Sequence, residues 1–216
     1  MLVVAKAPVA GRVKTRLGRD IGMERAARLA AASLLDTLTV CASAYGVERC
    51  HLALHGVLAQ AERADELLDA TTGWVLHPQR GDDFAARLVS AHHDAATTSG
   101  APVVQVGMDT PHLDATTLTR AGSRLRHRDD AVLGPAADGG WWLLGVGSPH
   151  LVDGLGEVPM STARTGHLTR EALVLAGARV SDVETLRDVD EVEDAESVAS
   201  TAPHSRFGRA FLEVAP

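Results

Sequence analysis

The sequence predicts an α/β fold in which a mostly parallel β-sheet is covered by helices on both faces. Three observations predict it. Short apolar runs alternate with stretches of helical period almost throughout the chain. The run Pro102 to Val106 is rich in β-branched residues, as suits a central strand buried on both faces. The segments richest in charge and glycine follow strand ends, where open α/β sheets bind their ligands. With 216 residues, 45% of them hydrophobic and 23% charged, the chain is long enough for one sizeable core. One domain over 1–216 is expected, with no internal repeat, low-complexity tract or linker.

The elements follow in order. Leu2 to Val4 is the first strand. Met23 to Ala44 is a helix whose Leu34, Leu38 and Cys41 share a face. His51 to His55 alternates as a strand. Val57 to Ala70 reads as an amphipathic helix with Leu58, Ala61, Leu67 and Leu68 on its apolar side. Gly73 to His77 is a short strand and Phe84 to Ala96 a helix ended by Thr97-Thr98-Ser99-Gly100. After the central strand, Asp114 is placed to cap a helix over Ala115 to Arg126. Ala131 to Leu133 and Trp141 to Val146 are strands flanking a Gly-rich turn. Thr169 to Ala176 is helical, Val180 to Leu186 extended, and Val192 to Ala199 the last helix; the tail from Thr201 to Pro216 has no clear pattern.

Composition excludes several functions. A formal net charge of −7 and only 3% aromatic residues argue against nucleic-acid binding, which needs a basic face and stacking platforms. There is no basic segment leading into an apolar one at the N-terminus, and no apolar stretch long enough to cross a membrane is expected. Cys41 and Cys50 fit neither a zinc site nor a disulfide framework and read as buried thiols of a cytoplasmic protein. The ten histidines form no metal pattern, and Ser33, Ser43 and Ser161 lie in no nucleophile elbow.

The segment Ala5 to Leu17 concentrates the chemistry. It carries Lys6, Arg12, Lys14 and Arg16 around Pro8 and Gly11, between a strand and a helix. Four cations on one loop repel each other unless something anionic joins them. Pro8 and Gly11 let the backbone turn its N–H groups inward, and the helix start adds its positive end. The combination suits the phosphate chain of a nucleotide, with Thr15 beside it; a solvated basic loop is the plainer alternative. It is not a Walker loop, because Val13 and Pro8 stand where that motif needs glycines.

Three acidic segments complete the pattern. Gly107-Met108-Asp109-Thr110-Pro111 delivers Asp109 at the tip of the central strand, where a carboxylate needs a partner such as a divalent cation; turn chemistry is the alternative. Gly134 to Trp142 sets Asp138 beside Gly139 and Gly140, so the chain can approach a ligand closely. Trp141 and Trp142, on opposite faces of a strand, divide between an acceptor pocket and the core. Asp188 and Asp190 share a face when extended and offer further metal ligands, within an acidic run that otherwise reads as a solvated helix start.

Together these residues resemble a bacterial family of uncharacterised-domain proteins with the nucleotide-diphospho-sugar transferase fold, often labelled glycosyltransferase-like. The matching motifs are Lys6, Pro8, Gly11, Lys14, Thr15, Arg16 and Leu17; Gly107, Asp109 and Pro111; Gly134, Pro135, Ala136, Asp138, Gly139 and Gly140; Ser161-Thr162; and Asp188 with Asp190. The chain departs from the family pattern at Ala85, where a glycine is usual, at Trp141-Trp142, usually two tyrosines, and at Met160, usually tryptophan. The resemblance implies a Rossmann-like three-layer sandwich of glycosyltransferase-A type. It also points to molybdenum-cofactor and phospholactate nucleotidyltransferases, so two chemistries are open.

The first expectation is a metal-dependent transferase moving a sugar from a nucleotide-sugar to a small acceptor. Lys6, Arg12, Lys14 and Arg16 would hold the diphosphate. Asp109 and Asp190 would hold magnesium or manganese. Asp138, with Gly139, Gly140, Trp141, Ser161 and Thr162, would position acceptor or sugar. Lys14, Arg16, Asp109 and Asp138 would carry catalysis. The second expectation is nucleotidyl transfer from a nucleoside triphosphate to a phosphorylated acceptor with loss of pyrophosphate. The third is a nucleotide-binding protein without turnover.

Overall fold

The computed structural model describes residues 1–100 and 102–214. Seven strands form one sheet: β1 (Leu2–Lys6), β2 (His51–His55), β3 (Val75–Pro78), β4 (Val103–Gly107), β5 (Asp130–Pro135), β6 (Trp141–Val146) and β7 (Arg179–Asp182). Their order is β3-β2-β1-β4-β6-β5-β7. All neighbours run parallel except β6, which is antiparallel to both β4 and β5. The expected α/β class with a mostly parallel mixed sheet is observed.

The helices are α1 (Thr15–Ile21), α2 (Met23–Tyr45), α3 (Ala64–Ala70), α4 (Phe84–Ser99), α5 (Ala115–Gly122), α6 (Thr165–Leu175), α7 (Val192–Thr201) and α8 (Arg206–Val214). On one face of the sheet, Leu34, Leu38 and Cys41 of α2 and Leu118 of α5 pack on Val3, Leu52, Val106 and Leu143. On the other face, Leu88 and Ala91 of α4 cover Leu2, Val4 and Ala53. Beside them a 3-10 segment over Pro149–Glu157 and α6 cover Leu133, Leu144 and Val146. A further apolar cluster joins α1 and α2 to α7 and α8 through Leu17, Leu29, Val198, Phe207 and Phe211.

Several expectations need correction. The stretch 57–70 is not one helix: a 3-10 turn over Leu58–Gln60 is separated from α3 by Ala61 to Arg63. Arg63 takes a left-handed conformation (φ 57°), and the Glu62 N–H donates to Pro8 O at 2.8 Å instead of continuing a helical ladder. Asp114 does cap α5, accepting from Thr117 N, but the helix ends at Gly122 rather than Arg126. There Asp130 takes over, its carboxylate accepting from the N–H groups of Arg126 and His127. The tail holds α8, whose start is tied to α2 by Asp36 accepting from Arg206 N and Phe207 N; residues 215–216 lie outside the described residues. Finally, α2 is long and apolar enough by composition to cross a membrane, contrary to expectation. Two thirds of its apolar window is buried in this fold, because the helix is wrapped by the sheet, α5 and α8.

Candidate functional site

One edge of the sheet gathers the chemistry. The carboxyl ends of β1, β2, β4 and β5 and the start of the reversed β6 open into a cleft of about 760 Å³. Its lining includes Lys6, Arg12, Lys14, Thr15, Arg16, Asp109, Asp138, Gly140, Trp141, Ser161, Thr162 and Asp190. Nearly all residues singled out from sequence therefore meet at one place. Pro8, Gly11 and Gly139 shape its walls without lining it.

The basic loop runs from Ala7 to Lys14. Val9 N donates to Ala7 O and Arg12 N to Val9 O, closing tight turns that Gly11 permits with φ 72°. No atom lies within 4 Å of a Cβ built on Gly11, so conformation rather than space requires glycine there. Lys14 then enters α1 in a left-handed conformation, φ 46° and ψ 44°. For a non-glycine residue this costs about 1–2 kcal/mol. Such strain persists where surrounding contacts fix it.

Those contacts are internal carboxylates. Lys14 Nζ lies 2.6 Å from Asp109 Oδ1 and 3.0 Å from Asp190 Oδ1, and it also donates to Val189 O. Burial works to lower the pKa of Lys14, but Asp109 and Asp190 outweigh it and raise it, so the ammonium stays charged. Arg16 reaches Asp190 at 3.9 Å. The backbone ties the same segments, Val189 N donating to Asp109 O at 2.9 Å. Two of the four loop cations are thus compensated within the chain itself.

Asp188 and Asp190 both face the cleft while Val189 between them is buried, as alternate positions in an extended segment require. Thr110 Oγ1 donates to Asp188 Oδ1 at 2.7 Å. Burial pushes the Asp188 carboxyl up to about 7, with Asp109 and Asp138 adding to the rise and Thr110 and Lys14 opposing it.

The turn after β5 is built for close approach. Asp138 Oδ1 accepts from Gly140 N at 2.8 Å. Gly139 has φ 89°, and a Cβ on it would fall 2.2 Å from Ala163 O. That contact presses the turn against segment 159–165, where Ser161 also adopts a left-handed conformation and Thr165 Oγ1 donates to Pro159 O. Of the three non-glycine residues with positive φ among the described residues, two, Lys14 and Ser161, therefore border the cleft. Trp141 is half-buried at the cleft wall with its indole N–H on Thr169 Oγ1; Trp142 is buried, its indole N–H on Glu184 O. The two indoles differ in burial as expected of opposite strand faces, but both line the cleft.

Sequence reading missed several cleft residues, among them the polar side chains of His55, Gln79, Arg87 and Gln105. His55 ends β2 directly beside Lys6 in the parallel register. Gln79 Nε2 spans the β1 and β2 ends, donating to Ala5 O and Ala53 O. His51, on the same strand as His55, is buried and stacked on His77 instead. Cys41 and Cys50 are buried free thiols, as expected, and burial raises the pKa of both.

The hard oxygen donors of Asp109 and Asp190 suit magnesium or manganese by type. Among the described residues, however, no three carboxylate, imidazole or thiol groups converge in an ion-holding arrangement. The place between Asp109 and Asp190 is filled by the Lys14 ammonium.

Comparison with known proteins agrees with this architecture. A candidate nucleotide-diphospho-sugar transferase from Desulfovibrio desulfuricans G20 is similar at 26% identity, with a TM-score of 0.82 over 98% of this chain and 93% of that one. A nucleotidyl transferase from Methanothermobacter thermautotroptrophicus shares the fold at 20% identity and a TM-score of 0.59, covering 97% of this chain and 98% of that one. A cytidylyltransferase from Leptospira borgpetersenii does so at 13% and 0.58, covering 99% and 92%. No curated protein matches the chain. The fold is that of the nucleotide-diphospho-sugar transferases. Residues 37–162, more than half of the sequence and including Asp109 and Asp138 but neither the basic loop nor Asp190, match one family, and the chain belongs to it: the uncharacterized proteins conserved in bacteria grouped as DUF2064.

Proposed function

We propose that this protein is a transferase acting on a nucleotide-activated donor, and that it moves the sugar of a nucleotide-sugar to a small acceptor. The observation that carries the reading is the opposition, across one cleft, of the basic loop and a set of carboxylates at the strand ends. The similarity to the Desulfovibrio protein supports a sugar donor. Lys6, Arg12, Lys14 and Arg16, with Thr15, bind the donor phosphates and stabilise the charge that grows on the leaving diphosphate. Asp138, on its glycine-bordered turn, orients the acceptor hydroxyl and takes its proton. Trp141, Ser161 and Thr162 wall the acceptor side and exclude water.

Magnesium or manganese is part of the proposal. Asp109 and Asp190 would hold it once a phosphate chain draws Lys14 away, and the ion would supply positive charge to the phosphate oxygens.

A second reading, nucleotidyl transfer, is favoured by the number of cations on the loop, which suits a triphosphate. Thermal-shift measurements with magnesium or manganese separate the two, comparing nucleotide-sugars with nucleoside triphosphates on the native protein and on Asp109→Ala. A ligand that binds only the folded form raises the melting temperature. Metal-dependent stabilisation by a nucleotide-sugar, lost in Asp109→Ala, is the expected result. Stabilisation by a triphosphate alone would select nucleotidyl transfer. Absence of any nucleotide effect would overturn both readings.

A further inference from the structure

The cleft has two electrostatic halves. On one side Lys14 and Arg16 face Asp109, Asp188, Asp190 and Asp138, so the cations are outnumbered. On the other side stand Lys6 at the end of β1, His55 at the end of β2, Arg12 in the loop and Arg87 in the first turn of α4. Among the described residues, none of these four forms an ion pair; the cleft's ion pairs belong to Lys14 and Arg16.

The positions of the four are fixed by the backbone beneath them. Lys6 and His55 are register partners on adjacent parallel strands, where neighbouring side chains on one face lie about 5 Å apart. Ala7 N donates to His55 O, and Gln79 bridges the strand ends just behind. Arg87 Nε donates to Gly81 O at 3.1 Å, which orients the guanidinium; among the described residues its other N–H groups have no hydrogen-bond partner. A Cβ on Gly81 would lie 2.8 Å from Arg87 N, so this loop is pressed onto the helix start and holds that orientation. Slight burial, then the charges of Arg87, Lys6 and Arg12, keep the His55 imidazole below its ordinary pKa. The imidazole is therefore neutral at physiological pH and able to donate one hydrogen bond without adding charge.

We propose that Arg87 and His55, with Lys6 and Arg12, form an anion subsite for a phosphoryl group on the β1–β2–α4 flank, apart from the Lys14 pair. This deepens the reading above, because the phosphate-binding cleft is the same, but it does not require a nucleoside. The phosphoryl group belongs either to the tail of a nucleotide or to an acceptor.

Inorganic pyrophosphate is the first probe, titrated calorimetrically into the native protein, Arg87→Gln, His55→Asn and the remote control Arg209→Gln. Arg87 and His55 make no buried contact that folding depends on, so the variants fold; far-ultraviolet circular dichroism checks this. Removing one charge-assisted hydrogen bond weakens binding about tenfold, and a neutral one about threefold. So Arg87→Gln is expected to lose about tenfold, His55→Asn about threefold, and Arg209→Gln nothing. Pyrophosphate affinity unchanged in both cleft variants, or no pyrophosphate binding to the native protein, overturns the subsite. Nucleoside mono-, di- and triphosphates then identify the source. A defect that grows with phosphate number assigns the subsite to the nucleotide tail; a defect with pyrophosphate but none with nucleotides assigns it to an acceptor. Arg87-dependent pyrophosphate binding by a protein that binds no nucleotide would sustain the subsite and sink the nucleotide reading. Nucleotide binding indifferent to Arg87, with pyrophosphate binding equally indifferent, would do the reverse.

Discussion

Replacing Lys14 by methionine tests the charge arrangement most directly. Methionine keeps the length and apolar stem and suffers the same left-handed backbone strain, so the strain cancels in the comparison. The change removes the ammonium from between Asp109 and Asp190. Stripping one partner from a fully buried pair costs about 3–5 kcal/mol, because a bare charge is left in the interior. Here the Lys14 side chain is 9% exposed, but those of Asp109 and Asp190 are 41% and 50% exposed. Water can therefore rehydrate the abandoned carboxylates, and the cost falls to about 1–2 kcal/mol. Urea unfolding at neutral pH measures it. A double-mutant cycle with Asp109→Asn isolates the pair, with an expected coupling of about 1 kcal/mol. Manganese binding to Lys14→Met, read by calorimetry, tightens several-fold because two carboxylates lose their internal counter-charge. Additivity within about 0.3 kcal/mol together with unchanged manganese affinity would refute the reasoning, since Lys14 would then not rest on these carboxylates in the free protein.

Three further outcomes are expected. His92 is fully buried against Gln105 Oε1 at 2.9 Å, and burial lowers its pKa to about 4, so the folded state takes up its proton later than the unfolded chain does. Its contribution is complete above pH 6.5 and is lost as pH falls from 6.5 toward 4. Between pH 7.5 and 5 this amounts to about 2 kcal/mol. Urea unfolding at the two pH values should show that dependence shrink in His92→Gln, and an unchanged slope would contradict it. Gly139→Ala forces a Cβ to 2.2 Å from Ala163 O at φ 89°, a cost of about 2–4 kcal/mol. A melting temperature lower by about 5–15 °C is expected by calorimetry, and a change below 2 °C would mean the turn moves freely. Trp141 and Trp142 both line the cleft, but Trp141 is only half-buried whereas Trp142 is 2% exposed, and Trp74 is buried away from it. Quenching of tryptophan fluorescence on ligand binding should therefore be largely lost in Trp141→Phe and largely survive in Trp142→Phe.

Much of this was legible in the sequence because the fold puts its chemistry at strand ends, where composition changes abruptly. Apolar runs marked β1, β2 and β4, and the cations and carboxylates that follow β1, β4 and β5 do meet. Residues defined by geometry rather than by type were less legible. His55 reads as one more strand histidine; only its register beside Lys6 gives it a place in the cleft. Arg87 lies in a helix start whose family motif was noticeable, but nothing in spacing aims it at the basic loop. The break at Arg63 is invisible to periodicity, since Leu58, Ala61 and Leu67 keep helical spacing while the backbone turns to meet Pro8. The short α8 was missed because its amphipathic pattern spans only nine residues and its start is specified by Asp36, far away in sequence. The loop marks Lys14 as a candidate phosphate ligand, but nothing in the loop announces its carboxylate partners, Asp109 from the middle of the chain and Asp190 from near its end.

That distance has a consequence for how the protein is made. Lys14 and Asp190 are separated by 176 residues. At a synthesis rate of roughly 5–20 residues per second, roughly 10–35 s pass between the appearance of the lysine and that of its partner. During that interval β1 to β4 can pair, but the cationic loop has only Asp109 to answer it. Closure of the site is thus a late event of biogenesis, and a chain that stops short of the last strand and the segment after it carries a cationic loop with half of its counterweight missing.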